Sequence, residues 1–242
     1  MGLKVHSYES LGTYDGPGIR LVVFLQGCPF RCLYCANPDT ISFQGGTETE
    51  GEEILRRALN EKPFFGRRGG VTFSGGEPTS QARELVPVIR QLQANGINVC
   101  IDTNGGIWNS DVEELFGLAD LTLLDIKEFD NTRHREITGM NNTQTLGTAL
   151  WLEEHQRPFW MRYVLVPGLS DSEKDIRALG EHFKDYRMLR KVEILPYHTL
   201  GKHKYETLGW KYQLEDTPLN TSEQLARAKA LFEEYFTCVT VN

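Results

Sequence analysis

No stretch of this 242-residue chain approaches the roughly 18 apolar residues that a membrane-spanning helix needs. The opening MGLKVHSYES has no apolar core of the kind a secretory signal carries, and Lys4-Val5-His6 after Gly2 is a poor myristoylation pattern. Positive charge is not in excess either: 26 Lys and Arg face 33 Asp and Glu, a net charge of -7. Such a surface repels a phosphate backbone, so nucleic acid is not an expected partner. Cysteines are few and odd in number, five in all, whereas a disulfide-stapled secreted scaffold carries more and spreads them. Internal repeats and low-complexity linkers are missing. The expectation is a soluble, cytoplasmic, monomeric protein without a membrane segment. Its 40% hydrophobic content suffices for one sizeable core. One domain over 1–242 is expected, with two small ones as the alternative.

What is present is an alternation of short apolar runs and amphipathic segments. RLVVFL, GGVTF, INVCID, LTLLDI, FWMRYVLV and KVEILP read as strands. Between them TEGEEILRRALNE, SQARELVPVIRQLQANG, SDVEELFGLAD, TQTLGTALWLEEHQ, DSEKDIRALGEHFKDY and TSEQLARAKALFEEYF read as helices, and TCVTV adds a candidate final strand. Thr49 with Glu52 forms a capping-box pattern for the first helix, and Ser80 and Gly96 bracket the second, whose interior holds Pro87. Six βα units predict an α/β fold, a parallel sheet covered by helices. Both a partial (β/α)6 barrel and a doubly wound sheet fit the pattern. The longest polar interruption, a candidate variable loop over 197–220, follows the sixth strand.

The polar outliers fall at one end of these strands. SGGEP follows the second, DTNGG the third; Asp125 and Lys127 close the fourth, Arg162 lies on the fifth, and PYH follows the sixth. Parallel sheets build their sites at this carboxyl edge. Before the first helix, in a loop over 26–38, stands GCPFRCLYCAN, with Cys28, Cys32 and Cys35 spaced C-x3-C-x2-C. A structural zinc site takes four ligands, usually as two paired hooks, and no second hook is present. A four-iron cluster held by three thiolates would keep its fourth iron open, a Lewis-acidic point for a substrate. Cys100 and Cys238 lie in apolar stretches and read as buried small hydrophobes.

With Tyr34 inside the motif, and with GTYDGPGIR, FLQGCPFRCLYCAN, SGGEP, DTNG, LLDIK, MRYVLVPG and ILPYHTLGKHKY around it, nearly the whole chain resembles the radical S-adenosylmethionine superfamily. Within it the chain resembles the glycyl-radical-enzyme activases, of the type that acts on pyruvate formate-lyase (formate C-acetyltransferase). The resemblance implies a partial (β/α)6 barrel, a [4Fe-4S] cluster on Cys28, Cys32 and Cys35, and S-adenosylmethionine chelated to the open iron. Its reductive cleavage gives methionine and a 5'-deoxyadenosyl radical, which removes a hydrogen from a backbone glycine of the partner. A flavodoxin or ferredoxin is the implied electron donor. No further cysteine cluster follows the motif, unlike activases that carry an inserted ferredoxin-like module. Activation of another glycyl radical enzyme, radical chemistry on a small molecule, and a zinc-stabilised binding module are the alternatives.

The same resemblance assigns Tyr34, Asn37, Gly75, Gly76, Glu77, Asp102, Asp125, Lys127 and His198 to the cofactor. It implies a monovalent cation at Asp102, Thr103, Leu123 and Asp125. Asp15 and Arg162 are implied to meet the partner's glycine loop. Each has a plainer alternative. Tyr34 fits as a core aromatic, SGGEP as a simple turn, the aspartates as solvated strand ends, Lys127 as a surface lysine, and His198 as a core histidine. Arg162 fits as the partner of an internal acid. Lys202, His203 and Lys204 form a basic patch that reads as a docking rim or a solvated loop. Ala36 stands where many relatives have histidine.

Overall fold

A computed structural model describes residues 2–242, which fall into two compact units. The first comprises the residues up to Pro29 together with Thr40–Leu123; the second comprises Phe30–Asp39 and Leu124–Asn242.

In the first unit the strands are β1 (Leu3–Gly12), β2 (Arg20–Leu25), β3 (Thr47–Thr49), β4 (Gly70–Gly75), β5 (Asn98–Thr103) and the start of β6 (Leu121–Asp125). They are ordered β3-β1-β2-β4-β5-β6. β2, β4 and β5 pair in parallel, in a register that sets Arg20 opposite Gly70 and Leu25 opposite Gly75. Their residues are buried nearly without alternation, as befits strands covered on both faces. Helices α1 (Gly51–Phe65), α2 (Ala82–Ala94) and α3 (Ser110–Leu118) connect them. α2 shows why its run is helical: Leu85, Val88, Ile89 and Leu92 recur at helical spacing and are all buried. α3 starts where Asn109 Oδ1 accepts from Val112 N at 2.9 Å.

The edge made by β1 and β3 was not apparent in the sequence. β1 runs antiparallel to both neighbours and is interrupted by register shifts between Val5 and Ser7 and between Glu9 and Gly12. Bulges and polar side chains break the period-two signal that identifies a strand. This edge also displaces an expected cap. Thr49 is paired opposite Leu3 in β3, so α1 begins after Glu50 with no side-chain cap. Likewise Ser80 does not cap α2. Its hydroxyl donates to Glu77 O at 2.7 Å inside a 3-10 turn over Pro78–Gln81.

The second unit holds the end of β6, then α4 (Asn131–Thr138), α5 (Thr143–Glu154), β7 (Phe159–Leu165), α6 (Glu173–Phe183), β8 (Leu189–Pro196), α7 (Lys202–Thr207), α8 (Ser222–Glu233) and β9 (Val239–Val241). β7, β8 and β9 are successive parallel strands, and Ile126 N just past β6 donates to Arg162 O of β7 at 3.0 Å. α8 carries a full capping box between Thr221 and Gln224. α4 and α7 were unmarked in the sequence because both are short, and α4 is polar on most of its surface. Cys100 is buried as expected, whereas Cys238 is exposed just before β9. Among the described residues, no helix is long and apolar enough to cross a membrane.

Candidate active site

In the first unit, the strand ends β2, β4 and β5 bring SGGEP, DTNG and the start of the cysteine motif together. Gly76 lies flush on the backbone of Gly27. Its N–H donates to Leu25 O (2.8 Å), the next N–H donates to Gly27 O (2.7 Å), and a Cβ at Gly76 would stand 2.3 Å from that oxygen. Gly75 has a φ of +103°, in the region glycine favours. These two glycines are therefore required by the crossing of two backbones.

Glu77 is fully buried. Its Oε1 accepts from Thr79 N (3.0 Å), Thr79 Oγ1 (2.7 Å) and Thr103 Oγ1 (2.6 Å), and its Oε2 from Asn104 N (2.8 Å). Burial pushes the carboxyl up, and the bonds from Thr103, Thr79 and Asn104 pull it back. Glu77 thus fastens SGGEP to DTNG, a task the sequence did not reveal. Asn104 then directs its Nδ2 to Cys28 Sγ at 3.7 Å. Asp102 Oδ2 accepts from Ser74 Oγ at 2.6 Å, and Thr103 and Leu123 are buried.

The DGPGIR turn is ordered by a buried arginine that sequence reasoning passed over. Arg20 donates to Thr72 Oγ1 (2.6 Å), Pro17 O (3.0 Å), Arg68 O (3.2 Å), Val71 O (2.8 Å) and Asn98 Oδ1 (3.0 Å). Thr72 Oγ1 donates onward to Asp15 O at 2.6 Å. The Asp15 side chain is half-buried and Tyr14 beside it is exposed. The one signal available was an arginine heading an otherwise apolar strand.

In the second unit, Cys32 and Cys35 border an aromatic cluster of Tyr34, Tyr197, Tyr205 and Tyr212 with Ile137, Val166 and Leu214. Tyr34 is both a core aromatic and a polar outlier: it is 7% exposed, and its hydroxyl is buried with no hydrogen-bond partner among the described residues. Lys127 Nζ lies 2.9 Å from Asp125 Oδ2 and 5.9 Å from the Tyr34 ring centre. Burial works against its charge, but Asp125, with Tyr34 and Cys32, outweighs burial and holds the ammonium well above its ordinary range. Lys127 is therefore no surface lysine. Burial pushes the Cys32 thiol up to about 12, against the pull of Lys127, and pushes Cys35 up likewise.

Glu128, next in the chain, is fully buried and was not singled out; its Oε1 accepts from Phe129 N at 2.6 Å. Burial raises its carboxyl to about 7. His198 is exposed, with its Nδ1 accepting from Leu200 N at 3.4 Å, so it is not a core histidine. Arg162 is buried on β7, with Nε 3.6 Å from Glu193 Oε2, the internal acid its alternative reading required. Asn37 Oδ1 accepts from Lys204 Nζ at 3.0 Å, and Lys202 pairs with Glu215. Two of the three residues of the basic patch are thus turned toward acceptors of this unit, and His203 is exposed.

Among the described residues, no three His, Cys, Asp or Glu side chains are gathered to hold a metal ion. Thiolates bound to three different irons stand farther apart than the ligands of one ion, so the fit to a cluster is judged on its donors. None of the three motif cysteines is in a disulfide and each is half-buried, and soft thiolates are the ligands iron–sulfur clusters take. Tyr34 Oη adds a buried polar atom awaiting a partner. The residues fit the group. The aspartates are different: each already has a partner in its own unit, Ser74 for Asp102 and Lys127 for Asp125.

The Radical SAM superfamily profile matches residues 22–179. The chain is 44% identical over 232 residues to the pyruvate formate-lyase-activating enzyme of Staphylococcus epidermidis, covering 93% of this chain and 92% of the relative. It is 40% identical over 235 residues to the pyruvate formate-lyase 1-activating enzyme of Escherichia coli, covering 96% of each. Streptococcus suis SuiB bound to S-adenosylmethionine superposes with a TM-score of 0.70 at 14% identity, over 89% of this chain and 48% of that one, which speaks to the fold. The parallel βα units read from the sequence are those of the radical SAM fold, whose enzymes use a [4Fe-4S] cluster and S-adenosylmethionine. By identity sustained over nearly its full length, the chain belongs to the family of pyruvate formate-lyase-activating enzymes within the radical SAM superfamily.

Proposed function

We propose that this chain activates a pyruvate formate-lyase by installing a radical on a backbone glycine of that enzyme. The observation that carries the reading is the identity of 40% and 44% to two activating enzymes, spread over 93–96% of the chain. Cys28, Cys32 and Cys35 are the three cluster ligands in this reading. When bound, the cluster supplies the electron that splits S-adenosylmethionine into methionine and a 5'-deoxyadenosyl radical, which takes a hydrogen atom from the glycine and leaves as 5'-deoxyadenosine.

The remaining residues bind and position. Asn104 sets a donor toward the Cys28 sulfur, which favours thiolate over thiol. Lys127 places a buried positive charge beside Cys32 and Tyr34 and pulls against the burial that raises the Cys32 thiol, without overcoming it in the absence of iron. Glu77 fixes the SGGEP and DTNG backbones, so the amides they present are held without rearrangement. The aromatic cluster excludes water from the side of Cys32 and Cys35, which a carbon radical requires. The DGPG turn, locked by Arg20, is a rigid surface for an incoming extended strand. His198, exposed beyond β8, is free to approach the cofactor. The monovalent cation, a flavodoxin or ferredoxin donor, a cytoplasmic location and a monomeric state belong to the same reading.

The test is anaerobic reconstitution with iron and sulfide, reduction, and addition of S-adenosylmethionine with purified pyruvate formate-lyase. A glycyl doublet in the paramagnetic resonance spectrum with matching 5'-deoxyadenosine is the expected result. Deoxyadenosine without the doublet would remove the partner from the reading. Neither signal from an intact, reducible cluster would remove the activity.

A further inference from the structure

From Cys28 to Asn37 the chain has neither helix nor strand, so no regular ladder fixes the direction of the thiols. Within the second unit the early part of this loop leans on the end of α4. Arg31 N donates to Thr138 O at 2.8 Å and Leu33 N to Ile137 O at 2.9 Å. Cys35 N turns back to Cys32 O at 3.1 Å. Beyond Cys35 the support comes from a segment some 165 residues later in the chain. Tyr205 Oη donates to Cys35 O at 3.2 Å. Lys204 Nζ donates to Asn37 Oδ1 at 3.0 Å and to Asp39 Oδ1 at 3.1 Å. Gly201 lies on Ala36 so closely that a Cβ there would stand 2.6 Å from Ala36 O and 2.8 Å from its Cα.

This segment is itself well anchored. Tyr205 is 7% exposed and meets the Tyr212 ring edge-on at 5.0 Å, and Tyr212 Oη is 2.7 Å from Tyr197 Oη. Residues 35–39 are thus held by a rigid aromatic base through one hydroxyl, one ammonium and one backbone contact.

We propose that Lys204 and Tyr205 are positioning residues for the third cysteine, forming a latch from α7 that sets the direction of Cys35 and slows its exposure. The residues on the GKHKY stretch then serve the cysteine loop from behind. Neither touches the reacting atoms. The proposal rests on the reading of Cys35 as a cluster ligand, and its test separates the two.

The variant is the double substitution Lys204→Ala/Tyr205→Phe in the full chain. Two rates are measured: alkylation of Cys35 and Cys28 by iodoacetamide in the iron-free protein, resolved by peptide mass spectrometry, and iron loss to a chelator from the reconstituted protein under anaerobic conditions. Cys35 alkylation and iron loss should each rise about tenfold, the factor expected when a charge-assisted hydrogen bond is lost. Cys28 alkylation should stay at the parent's value, and the thermal midpoint should fall by no more than the roughly 3–6 °C that a tenfold change corresponds to in a chain of this size. Lys204→Arg, which keeps charge and reach, should behave as the parent in both rates. Unchanged rates at Cys35, or an equal rise at Cys28, would overturn the latch. Full iron retention in Cys35→Ser would instead remove Cys35 from the ligand set, while the alkylation result would still decide the latch.

Discussion

Replacing Glu77 by glutamine tests whether this carboxylate is a structural fastener or a cofactor ligand. The carboxylate is fully buried and takes four donors, three on Oε1 and one on Oε2. Glutamine keeps one oxygen. Its best orientation leaves that oxygen with Thr79 and Thr103 and turns the amide NH2 toward Asn104 N, so that donor faces donor. Three bonds fall from charged to neutral acceptor at about 1 kcal/mol each, and one buried N–H loses its partner at about 1–3 kcal/mol. The sum is roughly 5 kcal/mol, against a usual domain stability of about 5–15 kcal/mol. For a chain of this size that lowers the thermal midpoint by roughly 10–20 °C. Unfolding of the iron-free protein by heat and by urea measures it without any cofactor. A Glu77→Gln protein within about 1 kcal/mol of the parent would refute the reasoning. If such a protein also bound S-adenosylmethionine more weakly, Glu77 would return to the cofactor-facing role its motif implies.

Other outcomes follow from the same geometry. Glu128 has a folded value raised by burial to about 7, above the roughly 4.3 of an unfolded glutamate. The native state therefore holds the extra proton, and this contribution is complete below about pH 4 and lost as pH rises through 7, by at most about 4 kcal/mol. Glu128→Gln should flatten the decline in stability between pH 5 and pH 8, and parallel curves for the two proteins would contradict this. Gly76→Ala must move two backbones apart, because its Cβ would meet Gly27 O at 2.3 Å; a loss above about 3 kcal/mol is expected in urea unfolding. Arg162→Met leaves Glu193 with Lys191 Nζ at 2.6 Å and Asn242 Nδ2 at 2.9 Å, so the loss should be about 1–3 kcal/mol, below that of a fully stranded charge. A fall in affinity for the partner enzyme at unchanged stability would instead place Arg162 on the peptide side. Cys238→Ser, at an exposed position, should change stability by less than about 0.5 kcal/mol.

The sequence by itself determined the six parallel strands, their helices and the chemistry of the cysteine motif. Each of these is written in contiguous residues. An apolar run such as RLVVFL or LTLLDI needs no distant partner to be recognised, and three thiol donors within eight residues state their ligand preference through spacing and softness. Tertiary structure decided which polar residues face what. Glu77 reads as a ligand-facing acid until Thr103 and Asn104, more than 25 residues on, are seen to take its oxygens. Arg162 needed Glu193 from the next strand, and Lys127 needed its burial beside Tyr34 to become a charge that acts on a thiol. Lys204 reads as part of a basic rim, and Tyr205 carries no role, until Asn37, Asp39 and Cys35 O, some 165–170 residues away, are seen to accept from them. Hydrogen bonds and ion pairs between segments far apart in sequence leave no local pattern, because either partner alone looks like an ordinary polar residue at a strand end.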